Sequence, residues 1–337
     1  MPISFILPKE HFPNQFWIEA LEKNKIIPLE EKGKEATAQC WIYQTWALLI
    51  QEKIPCSLLG SLPHEGGIII AMSSSFPSIV SCFKEEFKKN GKKWISHNYF
   101  LVDIVADGLP HPAAHLHLVQ NRAHARQLPR SLFMPHWTQP HLIPRDPARG
   151  SLFEKISFFG DSSNLAPELR SAAWQEQLHR ELGILLEIRE ARRWHDYSDV
   201  DGVIAIRDFS GSRHLHKPAT KLYNAWLAGV PFIGGIDSAY AADGHPGEDY
   251  LVGTSAEKVF QYLKKLKEDP VMRWKLVQKG SESVVSYTRE ATLDRWKKLV
   301  QTTLPAEALK WKQRSSLEHS CLHLMQHFSC YFDRVTR

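Results

Sequence analysis

The stretch RHLHKPATKLYNAWLAGVPFIGG, residues Arg213 to Gly235, decides how the second half of the chain is read. From Pro218 onward it predicts a short helix. Proline suits the first helical position, Leu222, Ala225 and Trp226 share one face, and Gly229 stops the turn. The apolar VPFIGG that follows predicts a buried strand. The opening of the segment runs against the helix it introduces, because Arg213, Lys217 and Lys221 crowd the end where the macrodipole is already positive. An exposed cation there costs a few tenths to about 1 kcal/mol. A phosphate reverses the sign, since backbone N–H groups, dipole and side-chain charge then all favour it. A solvated basic loop accounts for one lysine; several cations at a helix N-terminus call for a phosphate or diphosphate.

Working outward, the same alternation fills the second half. KISFFG, ILLEIRE and VDGVIAIR read as strands, and APELRSAAWQEQLHREL as one helix. SAEKVFQYLKKLKED, PVMRWKLVQKGSESVVSY and TREATLDRWKKLVQTTL follow as helices. The tail from Pro305 adds one more helix, with Leu317, Cys321, Leu324 and Phe328 at helical spacing. In the first half ISFILP, CSLLGS, GGIIIAMS, NYFLVDIVAD and HLHLVQN are strand-like, while NQFWIEALEKN, TAQCWIYQTWALLIQEKI and SIVSCFKEEFKKNGKK are helical. Nearly continuous apolar strands alternating with helices indicate parallel sheets covered on both faces. Between Pro129 and Gly150 five prolines interrupt any period, which marks an ordered linker. The expected architecture is α/β, two Rossmann-like domains over residues 1–145 and 146–304, followed by a helical tail over 305–337.

Composition is that of an ordinary globular chain: 337 residues, 43 % hydrophobic, 23 % charged, long enough for two cores. A net charge of +5 favours an anionic ligand weakly and falls short of a nucleic-acid footprint; no nucleic-acid motif is visible. The N-terminus has no signal-peptide pattern and no apolar run approaches a membrane span. Five cysteines without CxxC spacing read as reduced thiols, and the expected location is cytoplasmic.

In open α/β sheets ligands bind beyond the carboxyl ends of strands. One such loop follows ISFFG, where Gly160 lets the backbone turn and Ser162, Ser163 and Asn164 offer polar groups; Ser163 or Asn164 also suits a helix cap. The other runs from Arg207, at the end of a buried strand, through Arg213, His214 and Lys217 to Thr220 and Lys221 in the first helical turn. The 17 histidines include His115 and His117 on one face of a strand, a spacing found at metal sites, but no third ligand is near and no metal is expected. HDYSDVDG lacks the glycine and distal glutamate of a calcium loop and reads as the polar lead-in to a strand. Trp41, Trp46 and Trp226 fall on helix core faces. Trp137, in the linker, is placed either for hinge packing or for stacking on a sugar.

KPATKLYNAWLAGVPFIGG, followed by SAY and GEDYLV, resembles the nucleotide-sugar-binding half of GT-B glycosyltransferases of the group 1 type. LKEDPVMRWKLVQKGSESVVSYTREATLDRW is similar to the family's C-terminal helices, and the resemblance covers Ile156 to Val300. It implies two domains facing across a cleft, with the donor on residues 146–304 and the acceptor on residues 1–145. Carried over, Arg213 and Lys221 hold the donor diphosphate, with Arg207 and Lys217 in support. Asn224 stands where many relatives place a ribose-binding glutamate. Glu248 and Asp249 either take sugar or ribose hydroxyls or are turn residues, and Ser238 and Tyr240 lie near the donor. The activity implied is sugar transfer from a nucleotide-diphosphate donor to a glycan, lipid-linked or protein acceptor, with no cofactor. An inverting reaction needs a base to take the acceptor proton; His97, Asp103, Asp107 and Glu65 are the candidates, with His97 put forward. A retaining reaction needs none. An epimerase or phosphorylase of the same fold, or a non-catalytic sugar-nucleotide-binding module, are the alternatives. A nicotinamide dehydrogenase is disfavoured because no GxGxxG follows either first strand.

Overall fold

The computed structural model describes residues 1–7, 37–90 and 98–335. The helix expected over NQFWIEALEKN, and His97, lie outside these described residues. Two all-parallel sheets organise the chain. The first consists of β1 (Ile3–Ile6), β2 (Ser57–Leu59), β3 (Gly67–Met72), β4 (Tyr99–Ile104), β5 (Leu116–Val119) and β6 (Ser131–Phe133), in the order β2-β1-β3-β4-β5-β6. The second contains β7 (Lys155–Phe159), β8 (Leu185–Arg189), β9 (Gly202–Ala205), β10 (Phe232–Gly234) and β11 (Leu251–Val252), in the order β11-β10-β9-β7-β8. Every residue of β3, β4, β5 and β9 is buried, as expected of strands covered on both faces. Among the described residues no helix is long and apolar enough to cross a membrane.

Contacts divide the chain into two compact units. One holds the described residues up to His136 together with those from Thr292 onward; the other holds Trp137 to Ala291. The chain therefore returns to the first unit for its last helices. The aromatic side chains explain this, since Trp296 is fully buried and packs against Phe5 and Trp41. Trp311, also buried, stacks on His115.

Several helix boundaries move from the expected places. APELRSAAWQEQLHREL forms two helices, Pro167–Arg170 and Ala172–Leu182, because Ser171 turns extended (ψ 137°) and its hydroxyl caps the amide of Trp174. The tail likewise breaks into Leu304–Gln313 and Ser316–Val335. The helix expected from Pro218 runs instead over Thr220–Ala228, entered through Ala219 (φ −88°, ψ 18°) and closed by Gly229 in the left-handed region (φ 69°). Pro218 thus belongs to the lead-in. Arg213 and Lys217 precede the helix, and Lys221 alone of the three sits in its first turn.

This helix is held from behind by the Pro270–Ser283 helix. A Cβ on Gly280 would fall 2.3 Å from Cδ1 of Trp226, whose indole donates to the carbonyl of Asp249 at 3.0 Å. Only glycine permits this approach. Gly280→Val should cost about 1–3 kcal/mol by forcing Trp226 aside. A melting curve matching the wild type would remove Gly280 from that role.

Candidate functional site

The second sheet reverses direction between β7 and β9: the chain runs outward to β8, then returns to the other side of β7. Crevices form at such switch points, outside the carboxyl ends of the strands. Here those ends are Gly160 after β7, Arg207 after β9 and Asp237 after β10. One side chain ties the three loops. Arg207 donates from Nε to Asp237 Oδ1 at 3.2 Å and from Nη1 to Asn164 Oδ1 at 3.0 Å. Burial pushes the Asp237 carboxyl up, against the opposing charges of Arg207, His214 and Lys221. Arg207, expected in support of the diphosphate-binding cations, is engaged in holding the loops. Asp237 was missed in the sequence because an acid following GGI carries no pattern of its own.

Lys221 occupies the floor of this edge. Its Nζ lies 5.5 Å from the centroid of the Phe158 ring, and its Cε would sit 3.4 Å from a Cβ on Gly160 (φ +155°). That is an ordinary van der Waals distance, so glycine at 160 is required by its backbone angle and by the closer Phe158 ring (3.2 Å), with Lys221 lying alongside. Beside it the hydroxyl oxygen of Thr220 is buried with no hydrogen-bond partner, at the end of the helix where amide groups face outward and the dipole is positive. Arg213 is exposed on the loop and its carbonyl accepts from the Ser238 amide at 2.8 Å. Lys217 closes the turn by donating its amide to His214, whose ring nitrogen lies 3.0 Å from Asp208. Ser162 is exposed in the β7 loop, where Asp161 caps the Ser162–Asn164 turn; the Pro167–Arg170 helix is entered through Ala166 with no side-chain cap, so neither Ser163 nor Asn164 caps it. Chemically the edge offers a helix N-terminus, an orphan hydroxyl and the cations of Arg213, Lys217 and Lys221, an anion-binding arrangement.

Other residues named from the sequence carry structural duties. Asn224 is buried; its side-chain carbonyl accepts from the Gln139 amide at 2.9 Å, and it hydrogen-bonds Tyr197. It therefore pins the middle of the linker to the helix. Asp249 is buried and accepts from the His245 amide at 2.8 Å and the Ser283 hydroxyl at 2.8 Å, while Glu248 is exposed in the turn between them. Tyr240 packs edge-on against Phe232, and Ser238 is buried at the start of the Ser238–Asp243 helix. Trp137 is buried.

The acidic HDYSDVDG loop leads into β9 at the opposite, amino edge of the sheet. There the buried Asp201 accepts from Arg145 at 2.9 Å, Arg149 at 2.7 Å, and the amides of Glu154 and Lys155 at 2.9 and 3.0 Å. Arg189, fully buried at the end of β8, pairs with Glu187 and Asp199.

In the first unit, Asp103 is buried within β4. It accepts from the Ser73 hydroxyl at 2.5 Å and the His111 amide at 2.8 Å, and lies 3.1 Å from Nδ1 of His117. Asp107 accepts from Gln120 at 2.7 Å. Glu65 is exposed before β3, at the amino edge, away from the usual ligand side. His115 accepts from the Leu101 amide at 3.0 Å, and burial foremost pushes its pKa down to about 3. Among the described residues no group of three metal-binding side chains converges.

No protein-family profile matches the chain, and no curated protein matches it in sequence. Solved structures do resemble it. Anabaena Alr3699/HepE in complex with UDP and glucose superposes over 91 % of this chain and 100 % of its own, at TM-score 0.53 and 11 % identity. Sucrose-phosphate synthase from Thermosynechococcus elongatus covers the same shares at TM-score 0.50 and 13 % identity. The chain has the GT-B glycosyltransferase fold. In this GT-B chain the switch point of the second sheet and the KPATK segment coincide, so the residues that carried the resemblance stand at the edge where topology puts a ligand.

Proposed function

We propose that this chain is a glycosyltransferase that moves a sugar from a nucleoside-diphosphate donor to an acceptor hydroxyl. The observation that carries the reading is Lys221 beside Gly160 at the N-terminus of the Thr220–Ala228 helix, at the β7/β9 switch point. A similar fold bound to UDP and to UDP-glucose supports a donor of this class. Lys221 and Arg213, with Lys217 and Thr220, would hold the diphosphate and stabilise its charge as the glycosidic bond breaks. That is an electrostatic task performed by preorganised donors. Arg207, Asn164 and Asp237 keep the three loops in register for it. No cofactor enters the proposal.

A thermal-shift panel of UDP-, ADP- and GDP-sugars tests the donor. One nucleotide class should raise the melting temperature, because a ligand at about 100 times its Kd adds roughly 2.7 kcal/mol to the native state. No shift with any of them would refute the donor site. Nucleotide release that depends on an added acceptor would then separate transfer from epimerisation, phosphorolysis or binding without turnover.

A further inference from the structure

The Ser316–Val335 helix is amphipathic the wrong way round. The face turned to the protein is polar: Gln326 is buried and hydrogen-bonds His117 at 2.9 Å, and Asp333 bonds His124 at 2.6 Å, while Glu318, Ser320, His323, His327 and Arg334 are exposed. His319 bonds the Trp311 carbonyl at 2.8 Å and stacks on its ring. Its apolar residues face outward. Leu317, Leu324, Met325, Phe328, Tyr331 and Val335 are 58–74 % exposed, and Cys321 is exposed among them. Taking about 150–250 Å² per large side chain, this face exposes on the order of 700 Å². The largest patch on a typical monomer is about 300–600 Å², and a standard interface takes about 800 Å² from each partner.

The spacing says what covers it. Residues 317, 321, 324, 328, 331 and 335 alternate steps of four and three, which is the heptad seam of helix–helix pairing. The seam is also self-complementary about its midpoint. Two copies laid antiparallel place Leu317 against Val335, Cys321 against Tyr331 and Leu324 against Phe328. Each layer then sets a smaller side chain against a larger one or matches two aliphatics, as close packing requires. Antiparallel pairing opposes the two macrodipoles as well. The helix itself carries only Glu318, Asp333 and Arg334 as charged residues, so its own polar face has none of the lysines and arginines with which an interfacial helix meets an anionic lipid surface. We propose that this face pairs with the same face of a second copy of the chain, in an antiparallel, two-fold dimer.

Light scattering on the full chain should give twice the 38.7 kDa of the monomer. Leu324→Glu with Phe328→Glu should give a monomer with an unchanged circular-dichroism spectrum, since both positions are exposed. Orientation has its own readout. Tyr331→Cys should form a disulfide-linked dimer with the native Cys321, and the link should vanish when Cys321→Ser is added. A wild-type monomer would overturn the proposal, including one that floats with phosphatidylglycerol vesicles or one whose stripe is covered by its own residues 8–36. A dimer that survives both glutamates would overturn it too, as would a Tyr331→Cys link that persists without Cys321.

Discussion

Lys221→Ala lowers turnover by about 10²–10³-fold, the usual effect of removing one preorganised donor from a developing charge, while the melting temperature stays near that of the wild type. The two halves of this expectation rest on different observations. The lysine makes a cation–π approach to Phe158, lies beside Gly160 and adds its charge to those of Arg207 and His214 acting on Asp237; Arg207 still holds that carboxylate without it, so the fold loses little. The first turn it occupies is where amides and dipole converge, so a departing diphosphate loses a cation that water cannot replace at equal geometry. Lys221→Arg should recover only part of the rate, because a planar guanidinium places its donors differently from an ammonium. Steady-state kinetics on the donor identified by thermal shift would check this. Wild-type turnover in Lys221→Ala would remove the residue from the mechanism.

Asp201→Ala should be the most damaging substitution for stability. The carboxylate is buried and satisfies two arginines and two amides, and its removal takes the counter-charge from Arg145 and Arg149, whose side chains are 16 % and 21 % exposed, although Arg145 keeps its hydrogen bond to the Leu152 carbonyl. Breaking a buried pair typically costs about 3–5 kcal/mol; the partial exposure of the arginines places this case near 3 kcal/mol. Burial works to raise the Asp201 pKa, yet the hydrogen bonds from Arg149 and the Glu154 and Lys155 amides outweigh it and hold the group below the usual carboxylate range. A depressed folded-state pKa means the stabilisation is present above the unfolded value of about 3.9 and is lost as pH falls through the lower folded value. Asp201→Asn should therefore flatten the acid limb of a melting-temperature-against-pH curve. An acid limb identical to the wild type would show that the ion pairs contribute nothing there.

The strands were legible from sequence because buried parallel strands are nearly continuous apolar runs: GIIIAM, YFLVDI and GVIA leave little choice. The helix after KPATK was legible in type but not in start. Proline fixes φ wherever it stands, and nothing local distinguishes the first helical position from the residue before the cap. The place of Lys221 in the first helical turn was legible, and its charge stood out because it conflicts with the dipole. The Arg207–Asp237–Asn164 tie was not, since it joins three loops far apart in sequence. Asn224 shows the same limit: its partner, Gln139, lies 85 residues away. The C-terminal helix misleads differently. Apolar residues at helical spacing ordinarily mark the face turned inward, but the buried polar groups His117 and His124 claim Gln326 and Asp333 and turn the helix over.

Calorimetric titration of nucleoside diphosphates, led by UDP and with the monophosphate and nucleoside as controls, tests the central claim most directly. The diphosphate should bind, the nucleoside should bind far more weakly, and Lys221→Ala should weaken the diphosphate by about 10–100-fold, the worth of a hydrogen bond to a charged group at about 1.5–3 kcal/mol. A diphosphate that fails to bind, or one that binds wild type and Lys221→Ala equally, would contradict the account.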